Sequence, residues 1–366
     1  MVAILSLAWS PAKVRAQVAC PGVTIGTATA ELVRASQGTG FFLTAMERLH
    51  EVMAFALTRR VSIGVNGQAN QASSSPRVAT DGSVVVFDSS ARNFLSTITA
   101  ARNHVWARGF CGPTRMLDQS PGGVEGDGSS FDPTVSADGT AIAFRSFSNN
   151  LLEGIDPSGT RVFVEDMDGI GLPGFTPPAT SFSGSEPVLS ADGRFVAVSS
   201  STKVDADDDT NGPDIYLRDR TMGTTTLVSR DSDGNHVSTS ADNIFDPAIS
   251  ADGRHVAFVS DVSLADPVDF NGNRQIYLRD TLLNTTTLVS IGIDGQPANK
   301  ECRAVEIAGN GCCVAFRSAA TNLVAGVDQT LPSIFLRDLD AGTTERVNVG
   351  FSSSPSLWFA RLPAIS

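Results

Sequence analysis

Charge, cysteine and long apolar runs are all scarce in this 366-residue chain, and each scarcity removes a class of protein. No apolar stretch approaches the roughly 20 residues that a membrane-spanning helix requires, which excludes helical insertion into a bilayer. Only 18% of residues are charged, and 27 basic residues stand against 39 acidic ones, for a formal net charge of −12. A nucleic-acid binder needs a basic face to neutralise phosphates, and an anionic membrane surface repels the same acidity. Five cysteines (Cys20, Cys111, Cys302, Cys312 and Cys313) are too few and too scattered for a disulfide framework, and no CxxC pair occurs. The four histidines, His50, His104, His236 and His255, stand apart from them, which argues against zinc. Cys312 and Cys313 are adjacent, so on a strand they are expected to point to opposite faces.

Glycine, serine, threonine and aspartate are abundant instead, as suits short strands joined by tight turns. Ser-Ala-Asp-Gly occurs at 136–139, 190–193 and 250–253, with weaker copies at 79–82 and 309–311. The anchors Asp81, Asp138, Asp192, Asp252 and Asn310 are spaced by 57, 54, 60 and 58 residues. A short apolar run follows each anchor, such as Val256-Ala257-Phe258. A second run then starts 24, 24, 23, 24 and 24 residues after it, at Val105, Val162, Ile215, Ile276 and Ile334. In three copies that run is Ile-Tyr/Phe-Leu-Arg-Asp, and Thr-Thr-Thr-Leu-Val-Ser closes two of them at 224–229 and 285–290.

Each repeat reads as four strands. Pro-Ala-Ile-Ser leads in, Asp-Gly turns a hairpin, the Val-Ala-Phe run returns antiparallel, and the Ile-Tyr-Leu-Arg and Thr-rich runs complete a sheet. A four-stranded sheet of this size cannot bury both faces alone, and stacking such sheets radially solves that problem. The fold class expected is therefore all-β: a β-propeller of five visible four-stranded blades plus a composite or incomplete sixth. Val61-Ser62-Ile63-Gly64 nearly repeats Val289-Ser290-Ile291-Gly292, and Pro363-Ala364-Ile365-Ser366 repeats Pro247-Ala248-Ile249-Ser250. The two ends are thus expected either to share one blade, Val61–Ile63 as its outer strand and 363–366 as its inner one, or to be cut from a longer array. Residues 1–57 match the repeat poorly, with a short helix possible over Leu43–Leu57, and 58–366 form the propeller. Residues 2–9 are apolar, but Lys13 and Arg15 follow them and no basic residue precedes them, the reverse of a secretory leader.

The phrase Pro-x-Ile-Ser-Ala-Asp-Gly-Arg-x-Val-Ala-Phe-x-Ser at 247–260 resembles the PD40 (WD40-like) repeat of TolB-type propellers, and the resemblance covers roughly 58–366. It implies a six-bladed, non-enzymatic, monomeric propeller in the periplasm or outside the cell that presents a ring face to a protein or surface-glycan partner. It does not imply the Tol system itself, since no N-terminal domain of the expected size precedes the blades.

Candidate sites are few. No Gly-x-Ser-x-Gly elbow occurs. Ser200 and Lys203 fit Ser-x-x-Lys, but Ser89, Ser146, Ser260 and Ser318 recur at the place of Ser200, so it serves the blade. Asp166, Asp219, Asp280 and Asp338 end the third strands and are expected to accept backbone N–H bonds from the next turn. Arg218, Arg279 and Arg337 are expected to pair with carboxylates or cover apolar surface. The sharpest constellation is Asp205, Asp207, Asp209 and Asn211 before Gly212, with Asp269 and Asn271 in the equivalent loop of the next blade and Asp156-Pro157-Ser158-Gly159 in the one before. Hard oxygens at alternating positions suit a calcium ion, Ca2+. The loop lacks the twelfth-position glutamate of an EF-hand and is one residue short of the nine-residue loops of integrin-type propellers. The alternatives to a binding propeller are an enzyme, such as a glycan lyase or hydrolase working in the central channel, and a calcium-stabilised adhesion module. Acids and histidines converging on the channel from several blades would favour the enzyme, and no such non-repeated cluster is visible in the sequence.

Overall fold

The chain divides into two units, Met1–Arg60 and Val61–Ser366. The computed structural model describes residues 60–348 apart from 65–66, 100, 110–111, 153–159, 168–179, 204–211, 237–243, 266–271 and 327–330. The described part of the second unit is a propeller of five antiparallel four-stranded sheets, each in strand order one to four. Blade one comprises Ser73–Val78, Val84–Ser89, His104–Gly109 and Thr114–Met116; blade two comprises Ser130–Val135, Ala141–Ser146, Arg161–Asp166 and Thr180–Ser183. Blade three runs through Ser185–Leu189, Phe195–Ser200, Asp214–Asp219 and Thr224–Leu227, and blade four through Ile244–Ile249, His255–Ser260, Gln275–Asp280 and Thr285–Leu288. Cys302–Ile307, Cys313–Ser318, Ser333–Asp338 and Thr343–Arg346 make blade five. Blade two has a fourth strand although its sequence lacks the Thr-rich phrase.

The two middle strands of blades two, three and four are largely apolar on both faces because a neighbouring blade covers each face. Phe144 stacks on Phe163, Phe258 on Tyr277 and Phe316 on Phe335 across strands two and three, with ring centroids 5.8, 6.2 and 5.9 Å apart. All six rings are 0 or 1% exposed, and burying each contributes about 1.5–3 kcal/mol. Among the described residues four apolar clusters lie between blades, and a fifth, Phe87, Ala91, Phe94, Trp106 and Met116, lies within blade one. One runs from Val84 and Val86 of blade one to Ile142 and Phe144 of blade two, another from Ile276 of blade four to Phe316 of blade five.

Asp-Gly, or Asn310-Gly311 in blade five, makes the first turn of each blade as its spacing indicates. Gly139, Gly193 and Gly253 have φ of 73°, 69° and 76°, a region that glycine enters at little cost. Asp138, Asp192 and Asp252 each accept the hydroxyl of the serine two residues earlier and the amide two residues later. These turns join hands around the propeller. Thr80 N–H donates to the Ala137 carbonyl (2.9 Å), Ala191 N–H to Ala251 (2.9 Å) and Ala251 N–H to Gly309 (2.8 Å).

Ile63–Gly64 and Gly67–Gln68 form a small hairpin. The Ile63 carbonyl accepts the Thr114 hydroxyl at 2.6 Å, just as the Arg230 carbonyl of blade three accepts the Thr286 hydroxyl of blade four at 2.5 Å. Towards blade one, Ile63 therefore takes the place that Arg230 of blade three takes towards blade four. The expected inner strand 363–366 and the possible helix at Leu43–Leu57 lie outside the described residues.

Candidate axial binding site

The first strand of every blade carries the same irregularity. Its register shifts by a β-bulge between Ser74 and Arg77, Phe131 and Thr134, Ser185 and Val188, Phe245 and Ala248, and Arg303 and Glu306. One non-glycine residue in each bulge adopts a left-handed φ of 49–56°: Ser75, Asp132, Glu186, Asp246 and Ala304. Four of the five precede a proline, which restricts their backbone further. Such a residue costs about 1–3 kcal/mol and persists only where its surroundings over-determine it. A bulge bends its strand and re-aims a side chain. Here the five bulges converge on one cavity of about 240 Å³, lined by the carboxylates of Asp132, Glu186, Asp246 and Glu306 and by a single guanidinium, Arg77.

The carboxylates form a relay from blade to blade. Asp246 N–H donates to Glu186 Oε2 at 2.9 Å, and Ala304 N–H donates to Asp246 Oδ2 at 3.1 Å. The bulge amides of blades four and five are thus each held by the acid of the preceding blade. Arg145 Nε bonds to Asp132, and Arg77 lies 4.0 Å from Glu306. Burial raises Glu186, Asp246 and Glu306 above the usual carboxylate range. Backbone amides and the nearby Arg145, Arg303 and Arg77 oppose that rise only in part, while neighbouring acids add to it at Glu186 and Glu306. The site is a pocket of concentrated negative charge short of counter-charge.

Three of these acids recur at one repeat position and no histidine joins them, so they are not the non-repeated cluster of acids and histidines that would mark a channel enzyme, although their convergence is not apparent from the repeat phrases. The signal was there: Asp132-Pro133, Glu186-Pro187 and Asp246-Pro247 put an acid before the proline at one place in three successive repeats. The alignment on Asp-Gly began at the proline and passed over the residue before it.

The other candidates serve the blades. Ser200 Oγ accepts the Thr202 amide at 3.0 Å, and Ser89, Ser146, Ser260 and Ser318 accept the amide two residues on in the same way. Asp219 accepts the amides of Thr221 and Met222, Asp280 those of Leu282 and Leu283, and Asp338 that of Ala341. The Arg194 guanidinium bonded to Asp219 holds its carboxyl down at about 2, and Arg254 lowers Asp280 in the same way. Asp166 accepts Arg220 of blade three at 2.7 Å, and the turn after it, from 168 on, lies outside the described residues. Among the described residues Arg218, Arg279 and Arg337 pair with no carboxylate; each donates to a fourth-strand threonine hydroxyl, Thr225, Thr286 or Thr344, at 3.0–3.1 Å. At the matching position blade two has Glu165, 2% exposed, its Oε2 without a hydrogen bond. Burial and the charges of Asp118 and Asp166 push Glu165 up to about 8.

The six calcium candidates, Asp205, Asp207, Asp209, Asn211, Asp269 and Asn271, lie outside the described residues, as does 156–159. Asp214, just beyond the first loop, is buried and accepts Ser229 Oγ at 2.7 Å. Among the described residues no group of three or more His, Cys, Asp or Glu is placed to hold a metal ion, and no helix is long and apolar enough to cross a membrane.

Neither a family model nor a curated protein sequence matches the chain. Solved structures do. A putative TolB from Agrobacterium tumefaciens is 16% identical with a TM-score of 0.45, covering 76% of this chain and 81% of its own. TolB from Acinetobacter baumannii is 14% identical with a TM-score of 0.44 over 75% of this chain, which spans about half (53%) of that protein. The oligogalacturonate lyase of Vibrio parahaemolyticus is 10% identical with a TM-score of 0.45, over 77% of this chain and 66% of its own. In its blades the chain is similar to TolB-type propellers, the resemblance that its Ser-Ala-Asp-Gly and Ile-Tyr-Leu-Arg-Asp phrases carry.

Proposed function

We propose that this propeller is a non-enzymatic binding module whose axial cavity receives a cationic side chain, lysine or arginine, from an extended segment of a protein partner. The observation that carries the reading is the convergence of Asp132, Glu186, Asp246 and Glu306 from four blades on one cavity with a single opposing guanidinium. A cavity of about 240 Å³ falls below the roughly 300–1,000 Å³ of drug-sized sites; it suits a side chain better than an oligosaccharide. A guanidinium entering it would find unspent carboxylate oxygens arranged for charge-assisted bonds. Action outside the cytoplasm, as a monomer, belongs to the same reading and rests on the resemblance to TolB-type propellers.

The test is fluorescence anisotropy with labelled Gly/Ser peptides bearing one central Arg, Lys or Glu. The Arg and Lys peptides should bind, Glu306→Gln and Asp132→Asn should each weaken them about tenfold or more, and the Glu peptide should not bind. Because a bound cation favours the ionised acids, affinity should fall as pH drops through the raised range of Glu186, Asp246 and Glu306. Equal binding of all three peptides, or none, overturns the reading. A second reading has one specific support: carboxyls whose proton affinity is raised by burial are what a glycan-cleaving general acid requires. Cleavage of an acidic or neutral oligosaccharide that disappears in Glu186→Gln would favour it.

A further inference from the structure

Cys312 and Cys313 do not point apart. Their sulfurs are 2.9 Å from each other, and both residues are half-exposed free cysteines. The pair sits where the first hairpin of blade five enters strand two. Cys312 occupies the place of Arg194 and Arg254 in the two blades before it. Its carbonyl accepts the Leu339 amide at 2.8 Å, as those of Arg194 and Arg254 accept Arg220 and Thr281 at 3.0 Å. The arginine that clamps Asp219 or Asp280 is therefore replaced by a thiol, and that thiol turns towards its neighbour.

We propose that Cys312 and Cys313 form a modification site, closing reversibly to a vicinal disulfide by exchange with a low-molecular-weight disulfide. The Cys312 thiolate attacks one sulfur of the oxidant RSSR, forming a Cys312–S–S–R mixed disulfide and releasing one thiolate. Cys313 then loses its proton and attacks Cys312 Sγ; the bond to R breaks and the second thiolate leaves. Two electrons pass to the oxidant, and the two protein protons go to the two RSH released. The order of attack follows from the pair itself. The two sulfurs share a proton at 2.9 Å, and that sharing, with burial and the acids Asp338 and Asp340, pushes Cys313 up to about 12, so Cys313 is the later of the two to ionise; once Cys312 is capped the sharing ends, and Cys313 gives up its proton and resolves the mixed disulfide. Neighbouring Cα atoms lie only about 3.8 Å apart, under the usual span of a disulfide, so the closed form is strained and readily reduced. Cys302, fully buried and pushed up to about 12 by that burial, is the built-in inert control.

The experiment treats the folded protein with oxidised glutathione, then maps peptides by mass spectrometry before and after a dithiol reductant. The peptide containing 312–313 should lose two hydrogens without retaining glutathione, and the reductant should reverse this. Cys313→Ser should stop at the glutathione adduct on Cys312, while Cys312→Ser should react at least tenfold more slowly. A thermal melt of each variant confirms that it is folded. Unmodified cysteines in the folded wild type, or a stable glutathione adduct in it, overturn the proposal. So does equal reactivity of the two single variants.

Discussion

In blades three and four, Arg194 and Arg254 reach from the first hairpin to Asp219 and Asp280 at 2.6 Å, and Arg218 and Arg279 lie along strand three to meet a threonine hydroxyl. Blades two and five keep the strands and change these residues. Blade two puts Thr140 and Glu165 at the two arginine positions, and blade five puts Cys312 at the first. The sheets are the same, so the arginines are not what makes a blade. They tie the turns of one blade together, and where they are missing the chain is left with a buried acid or a reactive pair.

The largest expected effect tests that contrast at Glu165. Its folded value of about 8 lies above the ordinary 4.5, so the folded state holds a proton that the unfolded chain releases, and stability falls as pH rises from about 4.5 to 8. Glu165→Gln should leave stability unchanged at pH 4 and raise it by on the order of 3 kcal/mol at pH 9, read from urea denaturation at both pH values. Equal stability of the two proteins at pH 9 would mean that the carboxyl finds compensation on ionising.

Gly253 sharpens the contrast within the turns. A Cβ there would run into the Phe195 ring, whereas at Gly82, with a similar φ of 71°, it would meet nothing within 4 Å. Gly253→Val should therefore cost more than the roughly 1–3 kcal/mol of backbone strain that Gly82→Val carries alone. Equal costs in thermal unfolding would show that the blade three ring yields freely.

A smaller difference separates the strand-three acids. Asp280→Ala removes an Arg254 pair and two amide bonds, and Asp338→Ala removes one amide bond. The first should cost about 1 kcal/mol more than the second. Asp219, held near 2, contributes stability present above its ordinary 3.8 and lost as pH falls towards 2. An Asp219→Asn variant should accordingly unfold with less pH dependence between 4 and 2, and an unaltered acid limb would remove Asp219 from that role.

The blades were legible in the sequence because each is written in residues with local consequences. Asp-Gly fixes a turn, Val-Ala-Phe alternates into two buried faces, and five copies reinforce one another. The axial site was less legible because its geometry arises between repeats. Nothing local distinguishes Asp246 before Pro247 from a surface acid until five bulges are brought together. Cys312 and Cys313 misled for a related reason. Alternation holds within a strand, and Cys312 lies in the turn just before it, where the two side chains share a side.

The hand-to-hand turns have a mechanical consequence. The joints Thr80–Ala137, Asp138–Ala191, Ala191–Ala251 and Ala251–Gly309 run in series, and each described blade packs against the next. A force applied along the chain would load one joint at a time, and the molecule should unravel in discrete lengths set by the repeat. Pulled singly, it should extend in steps of one blade, 54 to 60 residues, with each intermediate an intact shorter stack.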